Sequence, residues 1–169
     1  MLFWLSFTFL ASQLFATLAL ISWLISFQCK VRKYIILFFI ITAFCILLQF
    51  LLLERYVWAT IVWIGMIRYF TAYYYPKPFL IPIFIFIFAT LTIIFWKDTY
   101  DILAFLAASL NTLWSFQKNE KYLRYFFMSS WPCLVGYNYF IGSPIWILLE
   151  SVFLLSNITG YYRYHIRKK

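Results

Sequence analysis

The chain has 169 residues, 66% hydrophobic and only 11% charged, with a mean hydropathy of +0.87. A soluble domain carries about 45–50% apolar and about 25% charged residues, so these values exclude one and leave an integral membrane protein. The net charge of +9 would point to nucleic acid on a soluble protein. In a membrane chain it reads as basic loops kept in the cytoplasm, and nucleic acid is not an expected partner.

Seven apolar segments follow one another: Leu2–Phe27, Tyr34–Leu53, Val57–Tyr75, Phe79–Trp96, Ile102–Phe116, Tyr122–Ile141 and Pro144–Tyr164. A spanning helix needs about 20 residues, within a range of about 17–25. The fifth segment is the shortest and is extended at its start by Thr99–Asp101. The first lacks a positive leading region and its apolar run is too long for a cleavable signal. Lys30, Arg32 and Lys33 close the first helix, and Pro76-Lys77-Pro78 stops the third. Lys97–Asp101 and Gln117–Lys121 make the next breaks, and Gly142-Ser143-Pro144 makes the last tight turn.

Charge sets the orientation. With the N-terminus outside, the cytoplasmic side receives Lys30, Arg32, Lys33, Lys77, Lys118, Lys121, Arg124, Arg163, Arg167, Lys168 and Lys169, and the outer side keeps Arg55 and Lys97. That asymmetry is what the positive-inside rule demands, and dropping one helix would spoil it. The expected architecture is an all-α polytopic membrane protein of seven transmembrane helices, N-terminus outside and C-terminus cytoplasmic. Aromatic residues near segment ends, among them Trp4, Trp23, Tyr34, Trp58 and Trp96, fit interfacial belts, whereas Trp63, Trp114 and Trp131 lie deeper and read first as packing.

Polar residues inside the apolar segments carry the functional signal. Arg68, Asn138, Glu150 and Asn157 sit where lipid cannot satisfy them, so they face a bundle interior, a cavity or one another. Glu150 and Asn157 are about two helical turns apart and share a face. Two readings stay open: the wall of an internal site, or hydrogen bonds that hold helices together.

The halves also repeat. When Ser26-Phe27-Gln28 is laid on Ser115-Phe116-Gln117, Gln49 falls on Asn138, Arg68 on Asn157 and Tyr73 on Tyr162. Polar positions fall on polar positions within apolar helices, which reads as two three-helix repeats. A three-helix unit ends on the opposite side of the membrane, so one extra span is needed to give both copies the same orientation. The plan is 3+1+3 in a single membrane domain over 1–169: repeat one 1–75, linker helix 79–96, repeat two 99–164 and a basic tail 165–169. The linker has no charged residue before Lys97 and is expected to face lipid rather than wall a site.

Arg124, Trp131, Asn138, Gly142-Ser143, Glu150, Phe153-Leu154-Leu155 ahead of Asn157, and Arg163 carry a resemblance, to which the first half adds Ile67-Arg68. On these residues the chain resembles the YgjV-type bacterial inner-membrane protein family, over about half its length. That family looks like a distant relative of the SWEET and PQ-loop (MtN3-like) membrane proteins, which implies the same seven-helix parallel repeat and a bacterial inner-membrane, multi-pass location. Parallel repeats of this kind place substrate at the repeat interface near the midplane. The chain departs from the SWEET pattern in two ways. Arg68 stands where repeat one would have an asparagine, and Pro132 is the only hinge-like proline.

These features lead to the expectation of a small-solute facilitator. Arg68 and Asn157 would contact a small polar solute from opposite sides, with Asn138 on the same wall. Trp131 would give a stacking face, Glu150 would tune Arg68 or couple a proton, and Pro132 would let the sixth helix bend. The alternative is a non-transporting accessory, sensor or receptor that reuses the fold, with Arg68 and Glu150 as a structural pair. The expected partners are the lipid bilayer and the solute, with a homo-oligomer left open. No zinc-ligand spacing, nucleophile–base set or nucleotide motif is present, so the chain is read as no enzyme, with no metal and no cofactor. Cys29, Cys45 and Cys133, odd in number and scattered, do not form a disulfide framework.

Overall fold

A computed structural model describes residues 7–140, 142 and 144–167. Expectations resting on Leu2, Trp4, Ile141, Ser143, Lys168 and Lys169 lie outside the described residues. Among those described there are seven α-helices and no strand. They are α1 Phe7–Gln28, α2 Arg32–Leu52, α3 Tyr56–Tyr74, α4 Leu80–Ile94, α5 Asp101–Ser115, α6 Glu120–Phe140 and α7 Pro144–Tyr161, and a π-helical turn Tyr162–Ile166 follows. All seven expected segments are therefore helical. Only α1 and α2 are long and apolar enough to meet a strict spanning criterion; α4 is apolar but has 15 residues. At 1.5 Å per residue that is about 22 Å, shorter than a hydrocarbon core of about 30 Å.

Helices suit so apolar a chain because they satisfy every internal backbone group within the segment. The scattered hydroxyls follow the same logic by bonding the carbonyl one turn back. Thr42 donates to Phe38, Thr71 to Ile67, Thr92 to Phe88, Thr112 to Ala108 and Ser151 to Ile147, all at 2.8 Å. α2 ends in a Schellman turn. Arg55 N–H reaches Phe50 O at 2.9 Å and Glu54 N–H reaches Leu51 O at 3.1 Å, with Glu54 at φ 55° where glycine is usual. Before α7 the chain reverses at Gly142, φ +67°, whose N–H bonds Tyr139 O at 3.1 Å.

The core is an aromatic seam that crosses the bundle. Trp23 of α1 stacks on Phe153 of α7 with ring centroids 3.8 Å apart. Phe39 of α2 meets Trp114 of α5 at 4.7 Å, and Phe27 of α1 meets Phe127 of α6 at 4.7 Å. Trp114 is fully buried and its indole N–H is held by Asn111 Oδ1 at 2.8 Å, so its deep position is packing. Trp63, in contrast, is half exposed.

Contacts between helix ends fix the relative directions. Arg32 at the start of α2 donates to Ala72 O of α3 and Ser115 O of α5, while Arg124 of α6 donates to Cys29 O just after α1. Tyr164 OH, just after α7, donates to Gln28 O. The C-terminal ends of α1, α3, α5 and α7 therefore gather at one end of the bundle. At the other end Tyr100, before α5, stacks flat on Phe140 of α6 at 4.3 Å. Successive helices alternate in direction, as a multi-pass bundle requires.

Helix α4 departs from the expected lipid-facing linker. Phe86, Ile93 and Ile94 do point outward, but Phe84 and Phe88 are buried against the bundle. Phe88, Leu91, Thr92 and Phe95 line a cavity. The helix is amphipathic in shape rather than polarity: Phe84 and Phe88 pack into the bundle, Phe84 against Phe116 just after α5, a pattern a charge-based reading misses.

Candidate functional site

Two groups of buried polar side chains occupy different parts of the bundle. The first lies where the odd helices end. Arg124, five residues into α6, is fully buried. Its Nη1 donates to Phe27 O at 2.8 Å and to Asn157 Oδ1 at 3.4 Å, and its Nη2 donates to Cys29 O at 2.6 Å. Its Nε pairs with Glu120, one turn earlier on the same helix. Glu120 in turn lies 2.6 Å from His165 Nε2. Asn157 closes the ring by donating from Nδ2 to Arg124 O at 3.1 Å. A guanidinium offers five N–H donors in a planar fork, which lets one side chain tie α1, α6 and α7 together.

Gly160 makes this arrangement possible. A Cβ built there would collide with the Arg124 guanidinium and with the Phe27 carbonyl. Arg32 does a matching job nearby: it donates to Ala72 O at 2.8 Å, to Ser115 O at 3.0 Å and to Gln117 O. Cations at helix C-termini also oppose the negative end of the helix dipole.

The second group surrounds Arg68 on α3, which is only 4% exposed. Its Nη1 reaches Thr112 Oγ1 at 3.2 Å and Ala108 O at 3.5 Å, both on α5. Its guanidinium lies over the rings of Tyr69 at 4.5 Å and Phe88 at 5.2 Å. Its Nε has no hydrogen-bond partner, and no carboxylate among the described residues pairs with it.

Arg68 stands between two cavities. One, of about 160 Å³, lies among α1, α2 and α3 and is lined by Arg68 together with Trp23, Phe39, Thr42 and Val62. The other, of about 660 Å³, opens at the end that carries the α2–α3 and α4–α5 turns. Glu54, Arg55, Trp58, Lys97 and Asp101 stand at its rim. Its inner wall includes Phe88 and Ala108, two of the residues that touch Arg68.

The expected site residues divide accordingly. Arg68, Asn138, Glu150 and Asn157 are all buried, Trp131 is half-buried, and Pro132 is exposed on a helix that runs through it without a break. Of the expected contact residues only Arg68 lines either cavity. Asn157 does not face Arg68 across a site, because both ends of its amide are committed to Arg124. Glu150 makes no ion pair with Arg68 among the described residues, and its Oε2 has no partner; neither has Trp131 Nε1.

Thr112 escaped the sequence reading; Arg32 was read there as a charge closing the first helix, Trp23 as an interfacial aromatic, and Arg124 as a cytoplasmic-side charge on the sixth segment that helps carry the family resemblance, none of them as a helix tie. One signal pointed to Arg124: a glutamate one turn earlier at the head of a helix whose charges, Glu120, Lys121 and Arg124, all lie in its first five residues. Among the described residues no cluster of His, Cys, Asp or Glu is able to hold a metal, and the three cysteines are free.

A family model described as a bacterial inner membrane protein, Imp-YgjV, matches residues 10–168. The chain belongs to that family. It is a multi-pass protein of the bacterial inner membrane, with the lipid bilayer as its surroundings. No curated protein and no solved structure matches it. The family match runs through both polar groups and α4 together, so neither group belongs to an appended segment.

Proposed function

We propose that this Imp-YgjV protein is a facilitator for a small polar solute, built as two like-oriented three-helix units joined by α4. The observation that carries this reading is Arg68: a buried cation with no carboxylate partner among the described residues, lining a small cavity and touching two residues of the wall of a wide one. An ionisable group held at such cost inside a bundle is by default functional, and an unneutralised one is suited to a ligand rather than to packing. The proposed topology places the wide cavity on the outer face. Its mouth carries Arg55 and Lys97, while Arg32, Lys33, Arg124, Arg163 and most other basic residues gather at the opposite, cytoplasmic end. The crossed arginines support the two-unit plan, since each comes from one unit and holds the first helix of the other. No enzymatic step is part of this reading.

A swelling assay on proteoliposomes tests it, with a panel of small sugars, amino acids and organic acids as osmolytes. The wild type is expected to admit at least one of them faster than empty liposomes. Arg68→Ala is expected to lose that permeation while its melting temperature in detergent stays close to wild type. Unchanged swelling by the variant would remove Arg68 from the path. The alternative, a non-transporting accessory protein or receptor, draws on one observation: Arg124 and Arg32 fasten the two units together with every named donor used. It predicts no solute-dependent swelling at all.

A further inference from the structure

We infer that the wide cavity takes an α-amino acid with a large apolar or aromatic side chain, its charged end at the mouth and its side chain inside. The inference deepens the facilitator reading by naming the substrate class, and it rests on that reading. Three observations point to this ligand.

First, the cavity has the size and place of a binding site. Its volume is about 660 Å³, inside the range of about 300–1,000 Å³ usual for small-molecule sites. Helices α3, α4, α5 and α6 all contribute to its lining, so it lies where the two proposed units meet the helix that joins them. Second, its interior is apolar. Ile61, Phe88, Leu91, Phe95, Ala104 and Ala108 offer hydrocarbon contact and no hydrogen bonds from their side chains. A sugar there would leave its hydroxyls unsatisfied, whereas an indole, phenyl or branched alkyl group gains from burial. Third, the mouth carries both signs of charge in balance: Glu54 and Asp101 against Arg55 and Lys97. Glu54, Arg55 and Lys97 are exposed, and among the described residues their side chains make no ion pair. They are open to a ligand's ammonium and carboxylate groups. An ion of one sign would use half of that set; a zwitterion uses both halves and stays neutral overall.

Mouth and floor are set in position before any ligand arrives. Asp101 Oδ2 accepts the backbone N–H groups of Lys97 at 2.8 Å and Asp98 at 3.1 Å, which holds the α4–α5 turn. Glu54 and Arg55 are placed by the Schellman turn that ends α2. Trp58 is braced by Phe50, ring centroids 6.3 Å apart, and the Phe88 ring is held by the Arg68 guanidinium at 5.2 Å. Such ordering lowers the cost of binding. A zwitterionic phospholipid also joins opposite charges to an apolar body, but its two acyl chains outgrow this volume.

Titration calorimetry on the full chain in detergent, against protein-free blanks, tests the inference. The probes are tryptophan, its amine analogue tryptamine, its acid analogue indole-3-propionate, glycine and phosphatidylethanolamine. Tryptophan is expected to bind about fivefold more tightly than either single-charge analogue, the upper range for one exposed ion pair, and glycine not measurably. Glu54→Gln is expected to weaken tryptophan and tryptamine and to leave indole-3-propionate unchanged. Arg55→Gln combined with Lys97→Gln is expected to weaken tryptophan and indole-3-propionate and to spare tryptamine. Ala104→Leu keeps every charge at the mouth, takes up ligand space and is expected to weaken tryptophan at least about tenfold. Equal binding of the three indoles, glycine bound as tightly as tryptophan, no tryptophan binding, a uniform loss across the indoles in both charge variants, wild-type affinity in Ala104→Leu, or displacement of tryptophan by phosphatidylethanolamine would each overturn the inference. The swelling assay reads the facilitator proposal separately. Tryptophan binding without permeation by any solute defeats the facilitator alone, and permeation by a sugar without tryptophan binding defeats the amino-acid inference alone.

Discussion

Replacing Arg124 by alanine should destabilise the bundle strongly. The substitution removes two short bonds to Phe27 and Cys29 carbonyls, at 2.8 and 2.6 Å, and a longer one to Asn157 at 3.4 Å. It also strips Glu120 of its cation, leaving only His165 beside that carboxylate. Hydrogen bonds to charged groups contribute about 1.5–3 kcal/mol in soluble proteins, while interhelical bonds inside bilayers average about 0.6 with a maximum near 1.7. Arg124 lies near helix ends yet is wholly shielded, so about 1 kcal/mol for each short bond, about half that for the long one and something under 1 for Glu120 are the appropriate weights. The sum is about 3 kcal/mol, which for a chain of this size lowers a melting temperature by about 6–12 °C. Thermal unfolding in detergent, followed by near-UV circular dichroism, reads it directly. Arg124→Lys keeps the charge but presents a point donor in place of the fork, and should recover less than half of the loss. A cycle with Asn157→Ala should show coupling of about 0.5 kcal/mol, because the two side chains share the Arg124 Nη1–Asn157 Oδ1 bond, while the bond from Asn157 Nδ2 goes to the Arg124 backbone carbonyl and survives Arg124→Ala. A loss under about 0.5 kcal/mol for Arg124→Ala, or strict additivity with Asn157→Ala, would refute the idea that this network fastens the helices.

Three further outcomes follow from the same contacts and are read by the same melts. Gly160→Ala drives a methyl group into Arg124 and the Phe27 carbonyl, and is expected to cost about 2 kcal/mol although alanine is the better helix former. Arg32→Gln removes donors from the Ala72, Ser115 and Gln117 carbonyls and should cost about as much as Arg124→Ala, with separate, nearly additive effects. Glu54→Gly relieves a left-handed backbone at the end of α2 and is expected to raise stability by about 0.5–1 kcal/mol.

What hydropathy makes legible is the energetic cost of a residue, and what it leaves hidden is who meets that cost. Arg68, Asn138, Glu150 and Asn157 stood out because each interrupts an apolar run, and each is indeed buried. Their partners are contributed by distant helices: Thr112 and Ala108 for Arg68, and the Arg124 side chain and carbonyl for Asn157. No spacing along the chain encodes those meetings. Trp23 shows the same limit from the other direction. A tryptophan near a helix end reads as a membrane-interface residue, and only the ring of Phe153 stacked on it shows that it belongs to the core seam.

The proposed repeat explains why the arginine pair escaped notice. Laying Ser26-Phe27-Gln28 on Ser115-Phe116-Gln117 brings the acceptors to within one residue: Phe27 and Cys29, whose carbonyls serve Arg124, fall on Phe116 and Lys118, next to Ser115 and Gln117, whose carbonyls serve Arg32. The donors do not align. That register puts Arg32 on Lys121 and Arg124 on Ile35, so Arg124 starts about one helical turn further along α6 than the match to Arg32 would require. A side chain as long as arginine absorbs a one-turn offset and still delivers its fork to the equivalent helix end. Position-by-position comparison tracks Cα atoms and sees a mismatch, whereas the fold is selected on where the guanidinium arrives. If so, swapping Lys121→Arg with Arg124→Lys, which restores the register but moves the donor back a turn, should not recover the stability lost in Arg124→Lys. Full recovery would show that the offset carries no structural weight.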